Sequence, residues 1–407
     1  MRVVYVCTDP GIPALGRKGA SVHVQAVLRV LLAAGADVHL VCARVGGEVP
    51  PDLTGLTVHR LARVSGERPA EREVAAAASD AAVGATLDAI AASGPVDLVY
   101  ERYALWGRTA MAWAAGHGAP SLLEVNAPLV EEQARHRVLV DRRGAEAVAA
   151  SAFTDAGAIV CVSDAVAEWV RPRTAGVVRT VANGVDTTRF RPAAALTPAH
   201  ADAFTVGFVG TLKPWHGVES LVEAMALLVR EDPTYRLLLV GDGPQAGPLA
   251  ARAEALGLTP YVEVTGAVDP ADVPGLLRRI DVATAPYPAL EDFYFSPLKV
   301  YEYLAAGLPV VASRIGVLPE VLDDGRLGVL VEPGDPRALA DAVAALRADA
   351  GTRARLRRDT VADAAAHDWT SVVAESLGLV GLALPDRPAR APSTPRAAVG
   401  EAHHALV

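Results

Sequence analysis

Val181-Ala-Asn-Gly-Val-Asp-Thr-Thr-Arg-Phe-Arg-Pro192 interrupts the chain near its middle. Asn183-Gly184 is a turn signal and Pro192 a breaker, and the loop-like Ala193–Ala203 follows. Before this stretch, short apolar runs alternate with helical periodicity. Arg2–Cys7 reads as a buried strand and Ser21–Ala34 as an amphipathic helix. Strands then follow at Val38–Cys42, Leu98–Tyr100, Ser121–Val125 and Ile159–Val162, with helices at Glu71–Ala92, Leu105–Gly116 and Val130–Ala150. After the break the alternation restarts. Phe204–Val209, Arg236–Val240, Val262–Val264, Val282–Ala285, Val310–Ala312 and Val329–Val331 read as strands. Helices fit at Val218–Val229, Gln245–Leu256, Ala271–Ile280, Pro297–Ala306 and Pro336–Ala350, and Asp368-Trp369 opens a last one to about Leu382. Such βαβα order on both sides of one break predicts two doubly wound parallel-sheet domains. Ligands of open parallel sheets bind at the carboxyl ends of the strands, so chemistry is expected in the loops after strands.

Composition agrees with this reading. The 407 residues are 51% hydrophobic and 21% charged, enough for two large cores. A net charge of −9 argues against a nucleic-acid-coating protein. No apolar run approaches the roughly 18 residues of a membrane span. Val3 to Cys7 is too short for a signal peptide and ends at Asp9-Pro10, so a cytoplasmic location is expected. Cys7, Cys42 and Cys161 each close a strand-like run and lack metal or disulfide spacing, so they read as core residues. The tail from Pro385 to Val407, rich in Pro, Arg and Ala without period, is expected to be disordered.

Of 38 basic residues only Lys18, Lys213 and Lys299 are lysines. Coding bias towards Arg accounts for most of the imbalance, yet a lysine that persists fits a site needing a compact ammonium. All three fall in strand-to-helix loops or first helical turns. In Pro10–Ser21, Gly16 and Gly19 permit close backbone approach, Lys18 adds charge and Ser21 can cap the following helix. In Phe208–Val218 a strand runs into Gly210-Thr211, and Lys213 and His216 are aimed at the strand-end crevice, where a cation would neutralise a diphosphate leaving group. In Tyr294–Val311, Ser296 can cap a helix beginning at Pro297-Leu298. Lys299 then stands in the first turn, against the helix dipole, which makes sense beside a dianion. Glu302 follows on the same face, either as an ion-pair partner or as an acceptor for ribose hydroxyls. Val240-Gly-Asp-Gly-Pro-Gln-Ala-Gly247 imitates a dinucleotide fingerprint, but it does not follow the opening strand of its domain. There is no D-x-D, no H-E-x-x-H and no G-x-S-x-G.

With these residues in hand, the chain resembles glycosyltransferase family 4, the retaining nucleotide-sugar enzymes of the GT-B fold. The resemblance covers about residues 1–382. It rests on Asn183-Gly-Val-Asp with Phe190-x-Pro192, Val209-Gly210 with Lys213, Gly241-Asp-Gly243, and Ser296-Pro-Leu-Lys-x-x-Glu302-Tyr-x-Ala-x-Gly-x-Pro309. It implies an acceptor-binding domain over 1–186, completed by a helix at 369–382, facing a donor-binding domain over 187–368 across a cleft. It implies that Glu302 binds ribose, that Lys213 and the Gly16–Gly19 backbone hold the diphosphate, and that the stretch from Val264 to Val268 reaches the base. Gly210, Thr211, His216, Gly241, Gly243, Tyr294, Ser296, Pro297, Leu298 and Lys299 complete the expected donor site.

Three positions depart from the family pattern. The first Glu of the usual E-x7-E motif, which touches the donor sugar, is Tyr294, with Glu291 and Asp292 as neighbouring substitutes. A second basic residue is His216. The His after the fifth strand is Asn126, which hydrogen-bonds but cannot exchange protons at neutral pH, leaving Glu124 for that task. The implied reaction is front-face substitution with retention, in which the departing diphosphate, stabilised by Lys213, takes the acceptor's proton. It needs no metal or cofactor. The donor is expected to be a UDP-sugar and the acceptor a small molecule, glycan or lipid, as in natural-product biosynthesis. Arg102, Tyr103 and Arg135 are the expected acceptor contacts, with at most peripheral membrane contact. A nucleotide-sugar epimerase on the same fold and a non-catalytic sugar-nucleotide-binding protein are the alternatives.

Overall fold

A computed structural model describes residues 1–192 and 203–386. The expected loop at 193–203 lies almost wholly outside the described residues, and so does the expected disordered tail from 387 onward. The first sheet holds β1 (Arg2–Cys7), β2 (Asp37–Cys42), β3 (Thr57–Arg60), β4 (Leu98–Arg102), β5 (Ser121–Val125), β6 (Ala158–Cys161) and β7 (Val178–Thr180), in the order 3-2-1-4-5-6-7. The second holds β8 (Phe204–Val209), β9 (Tyr235–Val240), β10 (Val262–Val264), β11 (Val282–Ala285), β12 (Val310–Ser313) and β13 (Val329–Val331), in the order 10-9-8-11-12-13. Neighbouring strands run parallel in both sheets.

The apolar runs are continuous because both faces of each sheet are covered. Val3, Tyr5 and Cys7 of β1 pack on one side against Val24, Val27, Leu28 and Leu31 of α1 (Gly19–Ala33). Val4 and Val6 turn to the other side, against Val83, Leu87 and Ile90 of α2 (Pro69–Ala91) and Met111 of α3 (Thr109–His117). α2 is the one described helix long and apolar enough to cross a membrane by length and composition alone. Its buried Glu73 and Asp80 hold backbone N–H groups of neighbouring segments, and its Leu87 and Ile90 pack into the sheet.

The stretch 130–150, read as one helix, is two: α4 (Leu129–His136) and α5 (Arg142–Asp155). Glu73 accepts the N–H groups of Val140 and Asp141 at 2.7 and 3.0 Å, and Asp141 caps α5 at Gly144. These tertiary bonds overrule the helical periodicity. The short edge strands β3 and β7 carry too few apolar residues to be read from pattern.

Strand order reverses between β1 and β4 and again between β8 and β11, so the crevices open at the carboxyl ends of those strands. The chain crosses between the sheets twice at one place. Val185 N donates to His367 O at 2.8 Å, Trp369 N donates to Val185 O at 3.2 Å, and the Thr187 hydroxyl donates to Asp368 at 2.7 Å. Beyond that crossing the helix Trp369–Gly378 packs back onto α1, with Trp369, Val373 and Leu377 in the first domain's core.

Candidate functional site

Lys18 and Lys213 lie in the loops after β1 and β8, and Lys299 in the first turn of the helix after β11, at the switch points of the two sheets. β8 runs into Gly210, whose φ of 141° and bare α-carbon suit one neighbour: a Cβ there would stand 3.1 Å from the Lys299 Nζ. Lys299, in the first turn of the helix Leu298–Ala305, is only 9% exposed. Its ammonium lies 4.1 Å from the Phe208 ring centroid and 5.3 Å from that of Tyr287, and no acceptor meets it among the described residues. Burial lowers its pKa to about 7, against the pull of Glu302. Burial likewise raises the Glu302 carboxyl to about 7, opposed by Arg189 and Lys299. The two side chains sense one another, but they do not form the ion pair that their spacing also allowed.

Lys213 precedes a 3-10 turn, with its ammonium 5.4 Å from the Trp215 ring. His216 Nδ1–H donates to the Thr211 carbonyl, so Nε2 carries the lone pair. Burial, with Lys299 and Lys213 nearby, holds this imidazole neutral, at about 3. The loops after β8 and β11 thus gather two lysine side chains and one neutral histidine. A buried cation without a partner, set against a helix dipole, is satisfied by an anionic ligand.

The glycines divide into two groups. Gly241 and Gly243 serve the protein itself: Cβ atoms there would lie 2.1 Å from Gly210 O and 2.4 Å from Leu212 O. Their bare α-carbons let the loops after β8 and β9 stack backbone on backbone, so internal packing already accounts for a glycine at both positions. Gly16 turns the first loop over Pro13. Gly19 opens α1 facing Leu298, whose Cδ1 would be 3.9 Å from a Cβ there, so two helix N-termini meet across the cleft. Lys18 donates to Gly11 O at 3.2 Å, while Arg17 reaches Asp269 at 3.2 Å, next to Val268. Ser21 and Ser296 do not cap their helices. Lys18 and Pro297 occupy the N-cap positions, and Ser296 is tied to Asn183, whose Nδ2 donates to Ser296 O at 2.9 Å. Beside Glu302 a cavity of about 460 Å³ opens between α1, the crossing and Trp369, a size suited to a nucleoside-sized group.

On the first domain's side the expected proton-transfer and acceptor residues are differently used. Glu124 is buried and accepts from His23 Nε2 at 2.8 Å, Tyr100 OH at 2.9 Å, Arg102 at 2.9 Å and Asn126 Nδ2. Burial alone would raise this carboxyl, but His23, Arg102 and Asn126 outweigh it and hold it at about 2. With its donors saturating it, Glu124 is an ionic hub and not a proton shuttle. Arg102 is locked to that hub, and Tyr103 is buried against Phe153 and Trp169, so neither is presented to an acceptor. His23, on the inward face of α1, was missed; a lone His among buried apolar residues gives no sequence signal of its partner 101 residues away.

α4 spans the cleft. Arg135, expected at the acceptor, instead forms an ion pair with Asp292. Tyr294 OH donates to Glu132 Oε2 at 3.0 Å, and Ser163 Oγ donates to Tyr294 O at 2.9 Å. His136 lies 6.4 Å from Trp215, ring to ring.

Family profiles match both halves of the chain: "Glycosyltransferase Family 4" over residues 17–189 and "Glycosyl transferases group 1" over 203–349. D-inositol 3-phosphate glycosyltransferase of Saccharomonospora viridis is 31% identical over 305 residues, covering 68% of each chain. The protein of that name from Acidothermus cellulolyticus is 29% identical over 416 residues, covering 95% of this chain and 90% of the relative. Against that of Corynebacterium glutamicum the identity is 34%, but the match spans 42% of this chain and 41% of the relative's length. Sucrose-phosphate synthase from Thermosynechococcus elongatus shares the fold, with TM-score 0.69 and 22% identity over 92% of this chain and 97% of that one. Anabaena HepE, solved with UDP, does so with TM-score 0.69 and 21% identity over 93% and 100%.

Proposed function

The chain belongs to glycosyltransferase family 4 and has the GT-B fold, and from that premise we propose that it moves a sugar from a nucleotide-diphosphate sugar to a hydroxyl acceptor with retention. The observation that carries this reading is the buried, unpartnered ammonium of Lys299 at the end of β8, with Lys213 beside it and two helix N-termini meeting there. Such a site takes a diphosphate. Lys213 and Lys299 neutralise the charge that builds on the leaving phosphate, and Glu302 accepts the ribose hydroxyls. His216, neutral, offers Nε2 as an acceptor and not as a third charge. The departing phosphate oxygen takes the acceptor's proton, so no protein base is required, in keeping with the saturation of Glu124. No metal enters the reading.

UDP is the favoured nucleotide. The acceptor is a small molecule, glycan or lipid. The relatives' names give D-inositol 3-phosphate that place in those proteins, so a phosphorylated polyol is the first acceptor to try. The test is incubation of the pure protein with UDP-, GDP- and dTDP-sugars, with and without such an acceptor. Slow release of free sugar and nucleotide is expected without acceptor; with the right acceptor, nucleotide release should accelerate and the sugar should appear on the acceptor's hydroxyl. An isomeric donor would reveal an epimerase instead, and thermal protection without turnover a binding protein.

A further inference from the structure

α4 brings Glu132, Arg135 and His136 onto one face, spaced three and four residues apart, and that face is turned towards the donor domain. Each of the three meets it: Glu132 at Tyr294, Arg135 at Asp292, His136 at Trp215. Trp215 stands over Lys213, and Tyr294 stands five residues before Lys299, so α4 forms the wall opposite the proposed diphosphate site. A group carried on the outer phosphate of a diphosphate held by the lysines would have this wall as its neighbour across the cleft. Glu132 is partly buried there, with one oxygen held by Tyr294 and the other, Oε1, meeting no donor among the described residues. The Tyr294 ring is itself fixed, packed against the first domain's core and held through its carbonyl by Ser163.

We infer that Glu132, positioned by the Tyr294 hydroxyl, determines donor specificity by accepting hydroxyl groups of the donor sugar across the cleft. The inference rests on the transferase reading above. A carboxylate with a free oxygen suits a polyhydroxylated ring, because each hydroxyl has a proton to donate. Tyr294 spends its own proton on Glu132 and acts through it. The neighbouring Arg135–Asp292 pair is more exposed and contributes little to stability, and the Arg135 guanidinium occupies the Asp292 carboxylate that was an expected substitute for the missing Glu.

The test compares a nucleotide with its sugar-bearing form, UDP against UDP-glucose and GDP against GDP-mannose, by calorimetric titration of the full chain. The ratio of the two Kd values isolates the sugar's contacts from those of the diphosphate. Glu132→Gln and Tyr294→Phe should each cost about tenfold in affinity for the sugar nucleotide and less than twofold for the bare nucleotide. Asp292→Asn, which breaks the adjacent cross-domain pair, should leave the ratio unchanged. Equal losses for both ligands, an unaltered ratio in Glu132→Gln, or a matching collapse in Asp292→Asn would overturn the assignment. A wild-type chain that binds neither nucleotide nor sugar nucleotide would sink the transferase reading beneath it; one that binds both, with an unchanged ratio in the variants, would sink only the role of Glu132.

Discussion

Replacing Lys299 by methionine should make the empty protein more stable and the nucleotide-bound protein weaker. The ammonium lies against Phe208 and Tyr287, 9% exposed and without an acceptor among the described residues. In the unfolded chain it regains the ordinary value of 10.5, against about 7 in the fold. Between those values the unfolded chain holds a proton that the folded chain has released, so stability rises as pH climbs from about 7 towards 10.5. Below 7 both states are protonated and the fold carries the whole cost. At 1.36 kcal/mol per tenfold, the gap sets an upper bound of roughly 5 kcal/mol. Methionine has a similar reach and no charge, but it also deprives Glu302 of a nearby cation. A net gain of about 2 kcal/mol is therefore expected at pH 6.5, or ~4–8 °C in Tm for domains of this size. Thermal melts of both proteins across pH 6 to 10, with and without saturating UDP, check this. The gain should shrink towards pH 10, and the rise in Tm on adding UDP should be lost in the variant. A variant that melts below wild type at pH 6.5 refutes the buried-charge reading, and one that keeps the full UDP response refutes the phosphate role.

Lys213→Ala should leave folding intact and cut turnover by ~10²–10³ in a sugar-release assay, whereas near-normal transfer would remove it from the leaving-group site. Glu124→Ala should cost ~3–5 kcal/mol in urea unfolding, because it strands Arg102 and the other donors in the core. The Glu124 carboxyl sits at about 2 against an ordinary 4.5, so its contribution is present above 4.5 and fades as pH falls towards 2; melts of variant and wild type should converge there. Gly217→Ala should destabilise by ~2 kcal/mol or more, since φ is 66° and the new Cβ would fall 1.8 Å from Pro286 O; a neutral result in chemical unfolding would contradict the observed loop.

Periodicity made both sheets legible, because doubly covered strands are continuous apolar runs such as Val3–Cys7 and Leu237–Val240. The lysines were legible too, because loop position after a strand is a sequence property. What pattern could not show was who meets whom. Arg102 and Glu124 both point to chemistry when read alone, and together they neutralise each other. The bare α-carbons of Gly241 and Gly243 look made for phosphate, yet their neighbour is the backbone of Gly210 and Leu212, 31 residues before each. The break between α4 and α5 was equally hidden, since it depends on Glu73 from another helix. Tyr294 was read as a missing carboxylate; its partner Glu132, 162 positions earlier, restores one from the opposite domain.

The double crossing at Val185 and Asp368 also fixes an order of events during synthesis. The first domain's seven strands are complete at Thr180, but Trp369, Val373 and Leu377 of its core emerge only after the whole second domain has been made. Trp369 lies 4.8 Å from His23, edge to face, so the ring that bonds Glu124 keeps one side uncovered until then. The amino-terminal sheet is therefore made before the residues that complete its core and cover this side of His23. Any chain cut between Val331 and Trp369 would lack part of the first domain's core, even with both sheets present.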